Sequence, residues 1–129
     1  MSTESPSRSA LLLVAIAGLF GATGTAVGAV AAHSIPDPAL ATAGTFLLIH
    51  AAALPGLAAG AHAFRAGWRL LAPGVLIALG VALFSGAIVA RAGFGVSPIP
   101  MMAPAGGSLL ILGWVAAALG ALLSLTRRP

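Results

Sequence analysis

His50 sits in the middle of a long apolar run. An imidazole in that setting can relay a proton, ligate a metal or hold a ligand. Its plainer role is a neutral ring that shares a hydrogen bond with a backbone carbonyl or with Ser85 and so fixes helices together. Pro55, five residues on, has no N–H to give, so the Ala51 carbonyl is freed nearby and a local kink is expected. His33 closes the preceding apolar run in a loop with Pro36, Asp37 and Pro38, where interfacial polarity is the simplest role. His62 lies toward the far end of the run that holds His50. The three histidines therefore fall at outer, middle and inner depths, unlike a convergent metal cage. Haem would need two axial groups at matched depth, which only two copies of His50 in a dimer offer. No cofactor and no metal site is expected.

Ser85, in Phe84-Ser85-Gly86, places a hydroxyl inside another apolar run. It can bond its own i−4 carbonyl or reach a neighbouring helix. As a nucleophile it lacks both a strand-to-helix elbow and a buried acid to orient a histidine. Met101 and Met102, with His33, offer soft donors for Cu(I), but a methionine pair at a helix entrance is more simply apolar filling. Gly93-x-Gly95 follows no strand and the chain has no lysine, which removes a nucleotide loop. The absence of cysteine removes disulfides, thiolate ligands and thiol nucleophiles. The expectation is a protein that is not an enzyme.

The elements that must position these residues are four apolar runs, at about 10–32, 40–64, 70–90 and 104–125, none with an arginine or an acid in its interior. Each is long enough at ~1.5 Å per residue to cross a hydrocarbon core of ~30 Å. In lipid such runs must be helices, because only a helix satisfies its own backbone hydrogen bonds. The composition agrees: 60% of the 129 residues are apolar and 6% charged, against the roughly 25% charged of a soluble domain. The net charge of +4 does not point to nucleic acid, since the basic residues are arginines at the ends of apolar runs rather than on one face. The first run contains Ala29-Val30-Ala31, a small-x-small pattern like a signal cleavage site, but is longer than the ~7–15 residues of a signal's apolar region. The expected fold is all-α: one transmembrane domain over 1–129, a four-helix bundle of antiparallel, up-down topology. Arg8, Arg65, Arg69, Arg127 and Arg128 lie on one side and Arg91 on the other, which places both termini in the cytoplasm.

Glycine supplies the packing pattern. Apolar tails give no hydrophobic drive for helix association, so close approach at small residues must provide it. Gly21, Gly24 and Gly28 share a face of the first helix, Gly56 and Gly60 form a GxxxG pair in the second, and Gly106, Gly113 and Gly120 recur every seven residues in the fourth with Ala117 on their stripe. These glycines, with Gly107, are expected to form packing seams within the chain or between copies.

The ordered landmarks are Gly28-Ala29-Val30-Ala31-Ala32-His33, then His50, then Phe84-Ser85-Gly86, then Pro104-Ala105-Gly106-Gly107 followed by Leu112-Gly113-Trp114. In this order the chain resembles, from about Ala10 to Leu125, the small bacterial inner-membrane family of unknown function typified by YgdD. The first landmark of that family commonly reads Gly-Ala-Phe-Gly-Ala-His, from which Val30 and Ala31 depart, and a tyrosine before His50 is missing here. The resemblance implies a multi-pass protein of the inner membrane with His33, His50, Ser85 and the Gly106-Gly107 entrance as shared positions, and implies no reaction. The leading expectation is a structural or accessory membrane component whose partners are the lipid bilayer and a membrane protein or second copy, not nucleic acid. The alternative is a small transport or proton-handling unit in which His50 and His33 line a cavity.

Overall fold

The computed structural model describes residues 7–126. Four long helices form in chain order: α1 (Arg8–His33), α2 (Pro38–Ala63), α3 (Trp68–Ile88) and α4 (Met102–Leu125). Ser7 starts α1 by accepting the Ala10 N–H at 3.2 Å. Asp37 starts α2 by accepting the Ala39 N–H at 2.7 Å, with Pro38 in the first turn. Proline is at home there because its missing N–H has no intrahelical partner to lose. Helix α3 does not end where the apolar run thins out: it continues through a π-helical turn, Val89–Gly93, to a span of 26 residues. Helix α4 begins two residues before the expected Pro104.

Successive helices run antiparallel. Gly24 of α1 meets Gly44 and Leu47 of α2, Ser85 of α3 meets Ala43 of α2, and Gly106 of α4 meets Gly80 of α3. The chain is thus a series of three seams, α1 on α2, α2 on α3 and α3 on α4, with a lesser contact of α1 on α3. Helices α1 and α4 share no packed seam. The side chains Leu13, Leu40, Leu54, Ile77 and Val81 are fully buried between the layers.

All four helices are long and apolar enough to cross a bilayer. Their outward faces carry Leu12, Leu19, Leu79, Ile111, Leu122 and Leu125, each more than half exposed. In water so much exposed aliphatic surface would drive aggregation, whereas against lipid tails it is matched to its solvent. This is a multi-pass membrane protein. Arg8, Arg65 and Arg69 gather at one end of the helices and Arg91 lies at the other; Arg127 and Arg128 lie outside the described residues.

Candidate functional site: a histidine link between two helices

Twelve residues beyond Pro38 in α2 and twelve beyond Met102 in α4, His50 and Trp114 occupy the same depth, because both helices run in the same direction. Trp114 Nε1 lies 3.2 Å from His50 Nε2. An indole N–H can only donate, so Nε2 is the acceptor. His50 Nδ1 is 2.7 Å from the Phe46 carbonyl oxygen one turn back. A carbonyl can only accept, so Nδ1 carries the hydrogen. The two partners together assign one neutral tautomer, with both ring nitrogens bonded and the residue only 5% exposed. A proton added at Nε2 would set donor against donor and break the bond to Trp114.

Aromatic rings surround the link. The Phe46 ring lies 4.7 Å from Phe84 on α3, and His50 lies 5.8 Å from Phe46 and 6.0 Å from Trp114, all as tilted pairs between ring centroids. These rings fill the space between α2, α3 and α4 at this depth. Helix α4 packs chiefly on α3, and through Trp114 it also reaches α2.

Ser85 is not the partner of His50. Its hydroxyl donates to the Ala43 carbonyl at 3.2 Å, tying α3 to α2, and the residue is 1% exposed. Thr25, Thr42, Thr45, Ser108 and Ser124 instead bond their own i−4 carbonyls, the local solution open to any helical hydroxyl in lipid. Nor does His50 use the carbonyl that Pro55 frees at Ala51; α2 passes through Pro55 as a continuous helix. Trp114 is the residue that sequence reasoning passed over, noticed only as part of a motif. The usable signal was its depth, equal to that of His50, together with an indole N–H that needs an acceptor when it is removed from water.

His33 is exposed in the last turn of α1, and His62 is exposed near the end of α2, so neither joins His50. Among the described residues no group of three His, Cys, Asp or Glu side chains could hold a metal, and no buried side-chain nitrogen or oxygen lacks a hydrogen-bond partner.

The glycines divide into two kinds. A Cβ on Gly106 would run into the Phe84 backbone and come within 2.7 Å of the Gly80 carbonyl; on Gly113 it would meet Ile77 Cγ1 at 2.6 Å; on Gly120 it would strike the Arg69 carbonyl. These three, with Gly80, are where α4 touches α3 backbone to backbone. On the other side Gly24 would meet Leu47 Cβ at 2.9 Å, and Gly44 would meet the Gly28 nitrogen at 3.1 Å. Gly56 and Gly107 make no tight approach within the chain, which leaves the expected seam between copies as the one they could serve. A Cβ on Gly56 meets nothing within 4 Å, and on Gly107 only the Phe84 ring at 3.9 Å. Gly60 has only contacts at 3.4 Å, to Leu70 and Phe64. The Gly56-Gly60 spacing marks a small face but does not say whether a neighbour lies against it. Gly28 serves through its backbone alone, since its own Cβ direction is open.

Residues 27–107, from the last turns of α1 to the Gly106-Gly107 entrance of α4, match DUF423, a protein family of unknown function. The chain belongs to the DUF423 family. The match contains His33, His50 and Ser85 and stops before Trp114. No curated protein and no solved structure is significantly similar to the chain. Membership in DUF423 accords with a small membrane protein and carries no reaction with it.

Proposed function

We propose that this DUF423 protein is a non-enzymatic component of a bacterial inner membrane: a rigid four-helix body that engages lipid and a membrane-protein partner or second copy. The observation that carries this reading is the double commitment of His50, whose Nδ1–H is held by the Phe46 carbonyl and whose Nε2 lone pair is held by Trp114. A relay needs partners that can deliver a proton to one nitrogen and take it from the other, and neither an indole N–H nor a backbone carbonyl exchanges protons readily. A hinge pin needs both nitrogens tied, as they are here. The Ser85 hydroxyl is similarly committed to Ala43. The orientation that goes with this reading has both termini cytoplasmic, since arginines near helix ends resist translocation and Arg8, Arg65 and Arg69 share one end.

The test is His50→Leu in proteoliposomes. The expected result is a lower melting temperature and proton flux indistinguishable from that of the unaltered protein. Flux that falls while stability is unchanged would replace the structural reading with the proton-handling one. A reporter fused to the C-terminus checks the orientation, and an extracytoplasmic signal would reverse it.

A further inference from the structure

At the arginine-rich end α1 and α2 meet through side chains, Leu13 and Ala17 sharing a buried cluster with Leu54 and Ala58. Their tight glycine approaches lie in the other half, at Gly24, Gly28 and Gly44. Beyond Pro55 the two helices border an open cleft of about 1420 Å³. Two stripes of helical spacing face it: Ala10 and Val14 of α1 with its cap Ser7, and Pro55, Ala59 and His62 of α2. Arg65, in the turn after α2, lines its mouth.

Three properties restrict what this cleft can hold. Its volume, above the ~300–1,000 Å³ of sites for compact small molecules, leaves room for an extended ligand lying along the open groove. Its depth along α2, from Pro55 to Ala63, is ~12 Å at ~1.5 Å per residue, close to the ~15 Å that one leaflet contributes to a hydrocarbon core. Its wall is mostly aliphatic and Arg65 brings a cation to its mouth, with the His62 imidazole as a further hydrogen-bonding group; Arg8 follows the lining residue Ser7 in sequence, and the first turn of α1 contains no acid. The positive end of the α1 dipole adds to the same field. Of the two acids in the sequence, Asp37 caps α2 at the opposite end, and Glu4 lies outside the described residues.

We propose that this cleft binds one acidic phospholipid, with acyl chain along the Pro55–Ala59 wall and phosphate at Arg65 and His62. The proposal deepens the reading of the protein as a lipid-engaging body, naming the lipid class and the place. That reading is judged by flux and stability of His50→Leu, whereas the lipid site is judged by retention, so either can fail alone.

The experiment is native mass spectrometry of the full-length protein in detergent, titrated with dioleoyl phosphatidylglycerol, dioleoyl phosphatidylcholine or glycerol phosphate. Phosphatidylglycerol should be retained at one per chain, well above phosphatidylcholine, with no retention of glycerol phosphate. Arg65→Asn should weaken phosphatidylglycerol binding about fivefold, the effect of one basic residue at an anionic surface. Asparagine also tolerates the left-handed backbone of Arg65, φ +51°, so folding is not at risk. Ala59→Trp should abolish retention by filling the exposed wall, and Arg91→Asn, at the opposite end, should leave it unchanged. Equal retention of the two lipids, or equal loss in Arg65→Asn and Arg91→Asn, would overturn the site. Retention of glycerol phosphate as strong as that of the lipid would make it a site for soluble phosphate esters and overturn the lipid assignment.

Discussion

The α3–α4 seam and the arginine-rich half of the α1–α2 pair are built from the same small residues, yet one is closed and the other open. Along α3–α4, Gly106, Gly113 and Gly120 each point at backbone or at a branched side chain that cannot retreat. Along the α1–α2 pair, the tight glycine approaches are at Gly24, Gly28 and Gly44, and beyond Pro55 exposed alanines such as Ala59 line a cleft. A small residue therefore permits contact without compelling it. What compels contact is a second flat surface at the same depth, as Gly80 provides for Gly106.

Gly106→Ala should break the comparison most severely. Its new Cβ meets the Phe84 backbone, which no rotamer change can move, so a stability loss of about 3 kcal/mol or more is expected, at the upper end of overpacking effects. Thermal unfolding in detergent checks this, and a melting temperature close to that of the unaltered protein would mean that the seam is not tight. His50→Leu should come next. It removes two hydrogen bonds and leaves the Trp114 N–H without its acceptor, a loss of about 1–3 kcal/mol. Trp114→Phe in the same background should add little, because the shared bond is already gone.

A change of opposite sign sharpens the contrast. Gly56→Ala and Gly86→Ala place a methyl where nothing lies within 4 Å, and alanine is the better helix former by up to about 1 kcal/mol. Both should leave the melting temperature equal or raised. A substantial fall in either would reveal a contact with a second copy at that face. The smallest expected effect is that of Ser85→Ala, about 0.6 kcal/mol, the average of side-chain hydrogen bonds between membrane helices.

Hydropathy made the four helices legible, since lipid leaves the backbone no alternative and charge is excluded from the interior of each run. The heptad spacing of Gly106, Gly113 and Gly120 likewise marked one real seam. Gly44, Gly74 and Gly80 escaped notice because their close approaches depend on what faces them: Gly28 for the first, Leu13 at 2.9 Å for the second, and Gly106 and Leu110 for the third. Spacing within one helix carries no record of that. The His50 link was half legible: the backbone carbonyl was expected, and Trp114 was not. Finding it required the depths of two helices to be compared across 64 residues of chain. The cleft was not legible, as its lining repeats the alanine and glycine pattern of the packed faces.

The central claim is that His50 is a neutral pin held at both nitrogens. Nitrogen NMR of the protein labelled at histidine in lipid bilayers tests it most directly, with His33→Gln and His62→Gln isolating the His50 signals. The account predicts a single neutral tautomer with hydrogen on Nδ1, whose Nε2 signal shifts when Trp114 is replaced by phenylalanine. Hydrogen on Nε2, or an Nε2 signal indifferent to Trp114→Phe, would contradict it.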